Sequence, residues 1–151
     1  MSPSEAAMLR ARELAVHAHH GQVDEAGLDY FRAHVADVAR RVGDDPVLRT
    51  VAYLHDVVED TAVSLEELAA RHFSEQVLAA VDALTFRPHE ARVTYYARVR
   101  ADPVALAVEL ADIASNTDPD RMALLDHETR TRLRRRYIAA LPALLQHAGP
   151  R

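Results

Sequence analysis

His55, Asp56, Glu59 and Asp60 fall within one short stretch, VAYLHDVVEDTAVS (Val51 to Ser64), interleaved with Tyr53, Leu54, Val57 and Val58. On a helix, residues three and four apart share a face, so His55 would lie above Glu59, and Asp56 near Glu59 and Asp60. Such a cluster is either the solvated polar face of an amphipathic helix or a site. Acids in the last turn of a helix each cost a few tenths to about 1 kcal/mol against the macrodipole. Three of them together call for a compensating cation, and a divalent metal would supply it. A second carrier of ligands lies in LAVELADIASN, where Glu109, Asp112 and Asn116 recur at helical spacing in an apolar segment, as an exposed stripe or as a second set of ligands. His34, in RAHVADVA, would pass as structural if it stood alone.

Composition narrows the chemistry. The 151 residues contain no cysteine, which excludes a disulfide framework, a thiolate zinc site and a cysteine nucleophile, so any metal must be held by histidine and carboxylate. The formal charge of −5 argues against general nucleic-acid binding, which rests on clustered cations that neutralise phosphate. All 18 basic residues are arginine, a bias that resembles genome composition rather than selection for guanidinium chemistry. No apolar run approaches the roughly 20 residues that cross a bilayer, and no basic-apolar leader opens the chain. The expectation is one cytoplasmic domain over residues 1–151, not membrane-bound and compatible with a homo-oligomer.

The elements that must position these residues are helical throughout, with no period-two alternation and no hairpin turn. The pattern predicts an all-α bundle of about seven to eight helices. The first runs from Ser4 to His20 and stops at Gly21, and the second carries Phe31, Val35, Val38, Ala39 and Val42. The third opens at Asp45-Pro46 and continues to about Asp60, and a capping box in SLEE starts the fourth at Ser64. Ser74 caps the fifth, the sixth spans about His89 to Arg100, and Asp102-Pro103 opens the seventh through Asn116. The last begins near His127, with Pro142 predicted to bend or end it.

The order His34, then adjacent His55 and Asp56, then Asp112 resembles the H…HD…D signature of HD-superfamily metal-dependent phosphohydrolases. The segments AHHGQVDEAGLDYFRAHVADVA, VAYLHDVVEDT, SLEELAARHFSEQVLAAVDALT and ELADIASN are similar to the hydrolase domain of RelA/SpoT-type proteins, whose usual forms read approximately AHxGQxxxxGxPYxxHPxxVA, LHDxxEDT and KLADxxxN. Coverage runs from about Ala15 to Asn116, and the tail resembles that of stand-alone, small relatives. The resemblance implies a metal-dependent hydrolase that removes the 3′-pyrophosphate of ppGpp. It implies His34, His55, Asp56 and Asp112 as ligands of a divalent ion, manganese in this branch, and Glu59 and Asp60 as the groups that orient or deprotonate the attacking water. Asn116 matches an asparagine near the nucleotide sugar and phosphate, Tyr30 a tyrosine near the site, and His19 the family's own histidine.

The departures fall on substrate positions. His17 takes the place read for an arginine that packs on guanine; a lysine becomes Glu109, and a basic residue becomes Ile113. Arg87, Arg92 and Arg98 could restore phosphate contacts through bidentate guanidinium bonds; otherwise they form a solvated face. RLRRR at Arg132 to Arg136 reads as the charged outer face of the last helix. The expected substrate is a small-molecule nucleotide contacted by Asn116, His17, Tyr30 and Arg87. The alternatives are a catalytically weak nucleotide-binding regulatory module, or an HD hydrolase of a less charged phosphoester.

Overall fold

The computed structural model describes residues 1–146, and they are all-α: no strand occurs among them, and one isolated bridge pairs Val23 with Asp29. Side-chain caps open most of the helices. Helix α1 (Pro3–Ala18) starts on Ser2 and Glu5 in a reciprocal capping box. A loop then leads to a π-helical turn (Phe31–Val35) that runs straight into α2 (Ala36–Arg41). Asp45 accepts from the Val47 and Leu48 N–H groups to start α3 (Pro46–Leu54), and Asp102 does the same for α8 (Pro103–Asn116). Between them lie α4 (Val57–Asp60), α5 (Leu65–Ala70), α6 (Glu75–Leu84) and α7 (Arg92–Arg100). The chain closes with α9 (Pro119–Met122) and α10 (His127–Leu144).

Three boundaries depart from the sequence expectation. The third helix ends at Leu54 rather than Asp60, and Val57–Asp60 is a separate turn. Neighbours on one helix point about 100° apart, whereas the interruption lets His55 and Asp56 aim at the same place. The macrodipole argument therefore lapses, because Glu59 and Asp60 do not end a long helix. The turn α9 was missed although Asp118-Pro119 repeats the Asp-Pro start of α3 and α8. Pro142 lies inside α10, which runs on to Leu144.

Helices α3 and α8 form the centre. Val51, Ala52 and Leu54 of α3 and Ala105 and Val108 of α8 are fully buried. Helix α3 packs on α1, α2, α6 and α8, while α8 also meets α7 and α10. Carrying apolar side chains on most of its surface, α8 has no wet face at its middle. Glu109, Asp112 and Ser115 are therefore held at fixed depths in the packing.

Candidate metal centre

His34 leaves the π turn, His55 and Asp56 leave the break after α3, and Asp112 comes from the middle of α8. One ligand atom from each lies within 4.8 Å of the others, the spacing of donors around a single ion. His34 Nε2 is 2.8 Å from Asp112 Oδ1 and 3.6 Å from Asp56 Oδ2. His55 Nε2 is 3.0 Å from Asp56 Oδ2 and 3.2 Å from Asp112 Oδ1. A π turn is a common device at functional sites, and here it buries Phe31, His34 and Val35 together.

The outer nitrogen of each ring meets a polar partner, and at His55 that partner fixes the tautomer a metal ligand requires. His55 Nδ1 lies 2.6 Å from the Ala52 carbonyl, so Nδ1 carries a proton and Nε2 is the atom that faces the cluster, free to ligate once the incoming ion displaces its own proton. His34 Nδ1 faces the Ser115 hydroxyl at 3.2 Å and the Arg121 guanidinium at 3.0 Å. Tyr30 donates to Asp56 Oδ2 at 2.5 Å, and Asn116 to Asp112 Oδ2 at 3.3 Å. Burial, then the charge of Asp56, hold the Tyr30 hydroxyl protonated far above its usual range, so it remains a donor.

The electrostatics suit a cation. Burial pulls the His55 imidazole down, but Asp56 and Asp112 outweigh it and hold it well above its ordinary value. Burial opposes ionisation of Asp112, yet bonds from His34 and His55 keep it far below the usual carboxylate range, and Asp56 is lowered in the same way by His55. The proton on His55 thus offsets part of the carboxylate charge, and a divalent ion would displace it. The donor set fits such an ion.

Glu59 and Asp60 line the same cleft, a space of about 380 Å³ that also touches His34, Asp56, Asp112 and Asn116. Oε1 of Glu59 accepts from the Phe86 N–H at 2.7 Å. Desolvation raises Glu59, and desolvation with repulsion from Asp56 and Glu59 pushes Asp60 up to about 6. The Asp60 carbonyl is clasped by Gln22 Nε2 at 2.9 Å, and Gln22 Oε1 is 2.8 Å from His19 Nδ1, so buried His19 anchors the turn that carries Asp60.

The other expected contacts divide. Tyr30 and Asn116 lie on the cleft, each bonded to a cluster carboxylate. His17 does not reach it; it lines a separate groove with Arg10, Leu14, Val63 and Arg71, because it sits on the opposite side of α1 from the buried Ala11 and Ala15. Arg87 is bound to the Asp82 carboxylate and the carbonyls of Asp82 and Thr85, and it lines neither the cleft nor the space behind it. Three residues that sequence reasoning did not bring to the site stand beside it. Ser115 and Arg121 back His34, and Tyr95 donates to Glu109 at 3.1 Å in a chamber behind the cluster. For Arg121 a signal existed, the Asp-Pro start of α9; for Ser115 and Tyr95 there was none.

Fold and cluster together define an all-α domain with a His/Asp cluster, similar to RelA/SpoT-type proteins. No protein-family model matches the chain. A GTP pyrophosphokinase of Streptomyces coelicolor is 33% identical over 118 residues, which cover 71% of this chain and 14% of that protein. A probable guanosine-3′,5′-bis(diphosphate) 3′-pyrophosphohydrolase of Synechocystis is 37% identical over 79 residues, 50% of this chain and 10% of that protein. The chain thus spans a small fraction of either relative's length. A solved structure, described as a metazoan ortholog of SpoT that hydrolyses ppGpp and plays a role in starvation responses, superposes with a TM-score of 0.78 at 20% identity, over 96% of this chain and 88% of that one.

Proposed function

We propose that the protein is a cytoplasmic metal-dependent phosphohydrolase that removes the 3′-pyrophosphate of ppGpp or of a closely related nucleotide, with manganese held by His34, His55, Asp56 and Asp112. The carrying observation is the convergence of these four donors in a cleft that also presents Glu59 and Asp60. A divalent ion held there would supply Lewis-acid activation of water and offset phosphate charge.

The chain's own residues account for the rest of the reaction. Glu59 is fixed through one oxygen by Phe86 N–H, which leaves its second oxygen to accept a proton from the attacking water. Asp60, raised to about 6, is a base near neutral pH rather than an inert carboxylate. Water attacks phosphorus, the bond from phosphorus to the sugar oxygen breaks, and the proton taken by the carboxylate pair returns to the leaving oxygen. Tyr30 and Asn116 hold Asp56 and Asp112 in orientation throughout.

The test is a nucleotide panel with purified protein and Mn²⁺, reading pyrophosphate or phosphate release. Asp56→Ala is expected to abolish metal binding. Glu59→Gln is expected to keep the metal and lose about 10²- to 10⁴-fold in kcat, the usual scale of a general base. Metal-loaded protein that releases neither product from any nucleotide refutes the activity, and full turnover by Glu59→Gln refutes the assigned role.

A further inference from the structure

Behind the metal cluster lies a chamber of about 60 Å³, bounded by His55, Asp56, Glu59, Glu109 and Asp112 on one side and by Tyr95, Tyr96 and Tyr137 from α7 and α10. That is room for a few water-sized groups and not for a nucleobase. Two guanidinium groups also line it, Arg92 of α7 and Arg136 of α10, and Arg136 lines the open cleft as well. Arg136 therefore stands on the wall that the two spaces share, next to the cluster.

These two arginines differ from others around the site. Arg98 pairs with Glu90, Arg121 with Asp24, and Arg132 with Glu25. Neither Arg92 nor Arg136 has an ion-pair partner among the described residues; each guanidinium instead lies over an aromatic ring, 4.8 Å from the centre of Phe86 and 5.3 Å from that of Tyr137. A stacked guanidinium keeps its N–H edge available for an anion. Arg134, Arg135 and Arg136 of RLRRR are all exposed, but only Arg136, one residue before buried Tyr137, lines the two spaces.

The positions on α8 where the resemblance calls for cations hold Glu109 and Ile113, and Glu109 is 8% exposed and bonded to Tyr95. An anionic substrate end beside several carboxylates needs positive charge from elsewhere. We propose that Arg136, assisted by Arg92, binds the terminal phosphoryl group of the substrate's anionic end, so that the chamber takes that one group while the rest of the anion lies in the cleft that Arg136 also lines, and Arg136 is its specificity-determining residue. The inference rests on the phosphohydrolase reading and deepens it. Guanidinium binding of phosphate oxygens is bidentate, which suits a group that must be oriented as well as neutralised.

Inorganic pyrophosphate is the probe, titrated calorimetrically into Mn²⁺-loaded protein at fixed free Mn²⁺, with Mn²⁺ affinity measured separately. Arg136→Ala is expected to weaken pyrophosphate about ten- to a hundred-fold, the scale of a lost hydrogen bond to a charged group, with Mn²⁺ affinity unchanged. Arg136→Lys should recover part of the loss, and Arg134→Ala should match the parent. In steady-state hydrolysis the same Arg136→Ala change should raise KM for the nucleotide more than it lowers kcat. Equal pyrophosphate affinity in Arg136→Ala and the parent, an equal loss in Arg134→Ala, or no pyrophosphate binding by the parent overturns the subsite. An absence of hydrolysis with pyrophosphate still bound through Arg136 sinks the enzymatic reading and leaves the subsite standing.

Discussion

Glu109→Gln isolates the cost of the acid that α8 buries in the chamber. Burial, then the charge of Asp112, push the Glu109 carboxyl from its usual 4.5 up to about 8, while the bond from Tyr95 works the other way. Below pH 4.5 the group is protonated in both folded and unfolded chains and costs nothing. As pH rises from there toward 8, the unfolded chain releases the proton and the folded chain keeps it, so stability falls through this window and levels off above it. At roughly 1.4 kcal/mol per pH unit, the interval from 4.5 to about 8 caps the loss at about 5 kcal/mol, and by pH 7 it is about 3 kcal/mol. Glutamine has nearly the same shape, keeps an acceptor for the Tyr95 hydroxyl and cannot ionise. Urea denaturation of metal-free protein and of Glu109→Gln at pH 5 and pH 8.5 should show a small difference at the lower pH and a gain of several kcal/mol for the variant at the higher one. A variant no more stable than the parent at pH 8.5, or a gain that does not grow with pH, refutes the reasoning.

Other perturbations test other parts of the centre. Ser115→Ala removes the hydroxyl 3.2 Å from His34 Nδ1 and should weaken Mn²⁺ binding about 10- to 100-fold, the usual effect of losing an outer partner of a ligand; calorimetric affinity equal to the parent's would show that Ser115 does not orient the ring. Leu54→Ala, at a fully buried position next to His55, should cost about 2–5 kcal/mol in denaturant, and a loss under 1 kcal/mol would contradict packing of α3 at the centre. Gln22→Ala cuts the 2.9 Å clasp on the Asp60 carbonyl. It should lower kcat while leaving Mn²⁺ affinity intact, and an unchanged kcat would remove that clasp from the account.

Local rules of the chain carried much of the fold. Asp45-Pro46, Ser64, Ser74 and Asp102-Pro103 each start a helix where their side chains could cap one, since a cap bonds N–H groups only two or three residues ahead. The same rule would have found α9 at Asp118-Pro119. The resemblance of their order to the H…HD…D signature is what singled out His34, His55, Asp56 and Asp112, and the structure brings one potential ligand atom of each within 4.8 Å of the others. Spacing could not show that α3 stops at Leu54, because Tyr53, Leu54, Val57 and Val58 continue the apolar pattern across the break.

What the sequence determined by itself is the helical class, most helix starts and the kinds of ligand on offer, because periodicity and capping act within a turn or two of chain. Tertiary structure decided which way each charge faces. Glu109 points into a chamber because α7 brings Tyr95 against it, His17 lies on a groove away from the cleft, and Arg87, in the loop after α6, is bound to the end of that helix. Arg132 meets Glu25 on the surface while Arg136, one turn on, lines the space beside the cluster. An arginine or a carboxylate has the same helical spacing on a wet face as on a cavity wall, and only the element packed across from it settles which one it occupies.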